Sequence, residues 1–191
     1  MRLSTITLAS TAALALAACG PKSQTTNSTD MNTTTAATND TAMAPAPMAT
    51  ATGAQGFANA AAASDAFEIE SSKLAAAQAN SSAVKSYATQ MIAAHEKSTA
   101  KLKTVAATLS PPITPDPTLA PDQQAMLDSL KPLQGAAFDK LYATNQAAAH
   151  QATLDKMKAY SASGEEPKLK EIATAMVPVV AAHLNMAKGL K

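Results

Sequence analysis

The chain has 191 residues, a formal net charge of +1, 47% hydrophobic residues and only 3% aromatic ones, which allows one modest core and offers no charge excess to a polyanion. No basic stripe interleaved with aromatics occurs, so nucleic-acid binding has no support. The single cysteine, Cys19, excludes an intramolecular disulfide.

Residues 1–18 read as a secretory signal peptide: Arg2 supplies the positive start, Leu3–Ala18 is uncharged and small residues close it. The run is too short and too rich in alanine for a spanning helix. Leu16-Ala17-Ala18-Cys19 resembles the lipobox of bacterial lipoproteins. That resemblance implies cleavage before Cys19 and acylation, palmitate included, of its thiol and new amino terminus. Gly20, in place of Asp, implies sorting to the outer membrane, facing the periplasm. An ordinary signal peptide with an incidental cysteine is the alternative.

Residues 19–55 form the next unit. From Gly20 to Gln55 there is no Leu, Ile, Val or aromatic residue, and Thr, Ala, Asn, Ser, Pro and Met dominate. Such a segment buries too little apolar surface to offset its ordering entropy and reads as a disordered tether, spanning roughly 30–35 Å. Met43 and Met48 are suited to copper capture in principle, but composition accounts for them.

Residues 56–191 read as one all-helical domain of Ala, Leu, Lys, Glu, Gln and Met. A first long helix is expected over Phe57–Gln78, with Phe57, Ala61, Ser64, Glu68, Ser71 and Ala75 along its seam. Asn80-Ser81-Ser82 makes a turn and a serine caps the second helix. There the seam is Val84, Ala88, Met91, His95, Ser98, Leu102, Val105 and Leu109, and His95 is an ionisable ring in an apolar stripe. Pro111, Pro112, Pro115, Pro117 and Pro121 forbid its continuation, and Pro121–Lys131 reads as a short helix stopped by Pro132. The third long helix is expected over Gly135–Ser163, ended by Gly164. Glu165, Glu166 and Pro167 open the fourth, whose seam includes Leu169, Ala173, Met176, Val180, His183 and Ala187. Pro178 lies within it and predicts a kink. Two helices, a long connection and two more helices describe a ferritin-like four-helix bundle with a long crossover between helices two and three.

Phe57–Ala75, Val84–His95, Gly135–Tyr142, Ala149-His150 and Pro178–Ala187 resemble the bacterial family of secreted helical domains labelled DUF4142. The resemblance implies a ferritin-like domain in the cell envelope and supplies no reaction.

All three histidines, His95, His150 and His183, fall on separate long helices, and Glu68 lies on the remaining one. At 1.5 Å per residue, Glu68 stands ~18 Å and His95 ~22 Å from the first turn, while His150 stands ~21 Å and His183 ~28 Å from the second. In helices ~40 Å long, all four fall near mid-height. Four readings compete. They bind zinc or another divalent ion; they form a buried hydrogen-bond network; they lie at the surface; or, with Met91 and Met186 one turn away, they hold copper(I). The Glu-x-x-His motif of di-iron sites is absent, since Ile92, Ala147 and Val180 stand three residues before the histidines.

Asp139 reads as a first-turn carboxylate near the start of the third long helix or, pointing inward beside Phe138, as a partner of Lys140 or of a distant group, and Tyr87, Tyr142 and Tyr160 read as seam residues with their hydroxyls in water. No Gly-x-Ser-x-Gly elbow or glycine-rich phosphate loop occurs. The expectation is a lipid-anchored envelope protein, attached to the membrane through Cys19, with a non-enzymatic binding or stress-related role and an unidentified protein partner. The alternative is a ferritin-like protein with a His/Glu site for Zn, Cu or Fe.

Overall fold

The computed structural model describes residues 53–190; the signal peptide with Cys19, and Met43 and Met48 of the tether, lie outside the described residues. Among the described residues five helices follow in order: α1 (Ala54–Gln78), α2 (Ser82–Ala107), α3 (Pro121–Leu130), α4 (Gly135–Ser163) and α5 (Pro167–Gly189). No strand occurs among the described residues. No helix there is long and apolar enough to cross a membrane.

Local chemistry explains the boundaries. Ser81 caps α2, its hydroxyl accepting from the Val84 N–H. Pro121 and Pro167 occupy the first turns of α3 and α5, where a missing N–H costs nothing. Glu166 caps α5 by accepting from the Lys168 N–H. α1 starts at Ala54, one turn before the expected Phe57, and the Gln55 amide ties this start to Asn59 and to the Thr114 carbonyl. Gly135 opens α4 at φ +61°, a conformation that L side chains resist. Gly164 follows α4 for a different reason: its φ is −60°, but a Cβ there would lie 2.5 Å from the Tyr160 ring. α5 runs through Pro178, which is exposed, as is Thr174, whose carbonyl the proline deprives of a helical partner.

The helices pack as two antiparallel hairpins, α1 on α2 and α4 on α5, with α1 facing α4 and α2 facing α5. Phe57 meets Tyr160, Ser64 meets Thr153 and Ser72 meets Tyr142, so α1 and α4 are antiparallel. Thr108 meets Lys168 while Tyr87 meets His183, so α2 and α5 are antiparallel too. α2 and α4 therefore run in the same direction, and the connection between them must traverse the bundle; α3 lies on it, against α1 and α4. This is the crossover arrangement expected from the length of the proline-rich connection.

Two apolar clusters occupy the ends. One gathers Met91, Leu130, Phe138 and Tyr142 near the α1–α2 turn; the other gathers Phe57, Leu102, Tyr160 and Leu169. A smaller third, of Leu154, Val180 and Leu184, packs between α4 and α5. Each large buried side chain contributes roughly 1.5–3 kcal/mol. The tyrosine expectation fails here, and of the two readings of Asp139 the distant partner holds. Tyr142 hydrogen-bonds Ser72 at 2.8 Å, Tyr87 donates to the His183 carbonyl at 3.5 Å, and the Tyr160 hydroxyl is buried without a partner. The rings point along the seam into the core, so their hydroxyls do not reach water. Asp139 does not serve the start of its own helix: its carboxylate accepts the Asn80 and Ser81 N–H groups at 3.1 and 2.9 Å. The antiparallel packing of α1 and α4 sets Asp139 beside the α1–α2 turn, whose amides lack helical partners.

Candidate metal centre

Between the two apolar clusters lies a polar layer. His95 on α2, His150 on α4 and His183 on α5 are 4%, 2% and 9% exposed, which removes the surface reading. Their ring centroids form a near-equilateral triangle with sides of 5.8, 5.6 and 5.5 Å. One potential ligand atom from each ring lies within 4.8 Å of those of the other two. Imidazole–metal bonds of about 2.0–2.1 Å place ligand nitrogens roughly 3.4 Å apart, so modest ring rotations bring three donors onto one ion.

The opposite edges of two rings are held by the protein. His95 Nδ1 lies 2.8 Å from Asp65 Oδ1, and the second Asp65 oxygen accepts from the Thr99 hydroxyl at 3.0 Å. His150 Nδ1 donates to the Gln146 carbonyl at 2.9 Å. An Nδ1–H committed in this way fixes the ring's orientation, and in the neutral ring it leaves Nε2 as the lone pair, which is how ligating histidines are oriented in metalloproteins. The buried ring nitrogens without a hydrogen-bond partner are His95 Nε2, His150 Nε2 and His183 Nδ1.

Glu68 stands beside this triad and outside its converging ligand set. Its Oε1 is 3.5 Å from His150 Nδ1 and its Oε2 has no partner. Burial raises its pKa to about 7, against the opposing pull of the His95 charge and the Gln146 amide. Burial lowers His150 to about 3 and His183 to about 4, so both are unprotonated at neutral pH. Burial also disfavours charge on His95, but the Asp65 hydrogen bond and the nearby Glu68 and Asp65 charges outweigh it and raise the pKa.

Of the two methionines named in the sequence, Met186 is exposed, and Met91 is packed in the apolar cluster with Tyr87 and Tyr142. Asp65 is the participant that sequence reasoning passed over. Asp65 and His95 lie equally far from Asn80 on either side of the turn, a symmetry that places them at one height in an α-hairpin.

A family model described as "Domain of unknown function (DUF4142)" matches residues 22–190. The chain belongs to the DUF4142 family. No curated protein matches it. This DUF4142 chain is similar in structure to CopM in its Cu(II)-bound form, with a TM-score of 0.58 and 18% identity over 71% of this chain and 93% of that one. At that identity the likeness concerns the helical fold alone.

Proposed function

We propose that this DUF4142 domain is a copper-binding module whose ion is held by His95, His150 and His183. The observation that carries the reading is the convergence of three buried imidazoles with three unpartnered nitrogens. A buried polar group left unpaired costs about 1–3 kcal/mol. A network serving only stability has no reason to bear that cost three times in a fold whose total stability is of order 5–15 kcal/mol. The two depressed pKa values add to this, because a neutral imidazole has no proton to lose before it ligates.

Imidazole donors suit copper, zinc, iron and nickel, and divalent copper stands highest in intrinsic affinity. The fold shared with a protein solved in a Cu(II)-bound form supports copper among these. Asp65 and the Gln146 carbonyl orient two of the rings, and Glu68 offers an adjacent carboxylate whose ionised form balances a cation. The Leu16-Ala17-Ala18-Cys19 pattern supports acylation at Cys19 and a position at the periplasmic face of the outer membrane. Together these features describe a lipid-tethered module that holds copper at the envelope.

The test is elemental analysis of the full chain, stripped with chelator and reloaded. One copper per chain is expected, lost on His150→Ala and retained on Met186→Leu. A wild-type chain that retains no copper, zinc, nickel or iron would falsify the reading.

A further inference from the structure

Three buried rings require a way in. A cavity of about 20 Å³ lies where α1, α2, α4 and α5 meet, and His95 and Asp65 form part of its wall. That volume suffices for about one water-sized particle. Three larger grooves, under the crossover prolines, beside Lys140 and along the start of α5, have no histidine in their walls.

The wall of the small cavity has a particular chemistry. Ser64 and Thr153 are hydrogen-bonded to each other at 2.9 Å across it, and Ser98 stands one helical turn beyond His95. Asp65, its two oxygens held by His95 Nδ1 and the Thr99 hydroxyl, lends the wall a negative charge. Ala61, Leu102, Ile172 and Val180 make the apolar part of the wall, and two thioethers join them: Met157 is buried and Met176 half-buried. Leucine fills space as well as methionine does, but only methionine adds a soft donor, and soft donors select copper(I).

We propose that this cavity is the port through which the ion reaches the histidine triad, and that the Met157 and Met176 thioethers suit it to copper(I). The proposal rests on the copper reading above and adds a route and an oxidation state to it. The hydroxyls replace part of the ion's hydration on the way in, the thioethers hold it transiently, and His95, whose ring borders the cavity, is the first imidazole met.

Rapid-mixing measurements on the metal-free full chain, with copper(I) added anaerobically or cobalt(II) as a harder probe, separate these statements. Ser98→Leu, which plugs the cavity, slows uptake of both ions by about tenfold or more and leaves the final stoichiometry at wild type. The Met157→Leu/Met176→Leu pair keeps the wall closed and slows copper(I) alone. Met176→Ala, which removes a half-buried side chain from the wall, speeds cobalt(II) and slows copper(I), and so reads the port even if the plugged variant fails to fold. Loading of Ser98→Leu at the wild-type rate overturns the port, as does an unchanged cobalt(II) rate in Met176→Ala. Wild-type copper(I) loading by the leucine pair overturns the role of the thioethers. A wild-type chain that binds neither ion at equilibrium overturns the triad itself.

Discussion

Two sets of buried polar side chains sit in this bundle, and they are completed differently. Near the α1–α2 turn, Asp139 takes two backbone N–H groups and Tyr142 pairs with Ser72, so these groups find their partners within the chain. At mid-height, His95, His150, His183 and Glu68 are equally buried, yet each keeps one polar atom without a partner. The first set stabilises the fold. The second carries a standing desolvation cost that the fold alone does not repay, which is what a site kept for a bound species looks like.

Exchanging the roles of the two sets is the most direct way to break this contrast. Replacing His150 by Ala should weaken copper binding by about 100-fold or more, since loss even of a ligand's supporting partner costs 10–100-fold. In the metal-free protein, His150→Leu should leave the melting temperature unchanged or raise it, because it removes an unpaired polar atom. Asp139→Ala should do the reverse. It strands two part-buried amides of the α1–α2 turn, lowers stability by about 1–2 kcal/mol in denaturant titrations, and leaves copper affinity intact. A metal-free His150→Leu protein that melts far below wild type would place both sets in the same structural class.

Asp65→Asn sharpens the comparison within the site. Asn still accepts from His95 Nδ1 but has lost the charge, so copper affinity should fall by about 10-fold while cavity and triad remain. Competition titration against a chelator reads this directly.

The smallest effect is the pH dependence of the metal-free protein, measured by thermal unfolding. His150 and His183, at about 3 and 4 in the folded state, stay neutral where unfolded imidazoles near 6.5 take up protons. Their contribution is present above about 6.5 and is lost as pH falls through that window. Glu68 has the opposite sign: raised from 4.5 to about 7, it contributes most below 4.5, and the contribution disappears as pH rises through 7. The two partly cancel between 4.5 and 6.5. Glu68→Gln should therefore steepen the loss of stability on acidification in that range, and an unaltered slope would show that its carboxyl is not perturbed in the fold.

Much of the scaffold was legible beforehand. Pro121, Pro167, Gly164 and Ser81 mark helix ends by rules that act within a few residues, and the helices run close to the expected spans. The mid-height position of the polar residues was legible too, because axial rise is constant along a helix. The direction of each side chain around its axis was not. Asp65 and Glu68 lie one helical turn apart on the same face, yet one is bonded to His95 while the other lies beside His150. Met91 and Met186 each lie one turn from a histidine in sequence, yet one fills the core and the other faces solvent.

The amino-acid sequence by itself determined the helices, their order, the long crossover and the depth at which the three imidazoles lie, because propensity, capping and helical rise are local quantities. Only the tertiary structure decided that the rings converge, that Asp65 and a main-chain carbonyl hold two of them, and that three nitrogens stay unpaired. Those outcomes depend on how four helices rotate against one another, and that rotation is set by the packing of every residue along the seams.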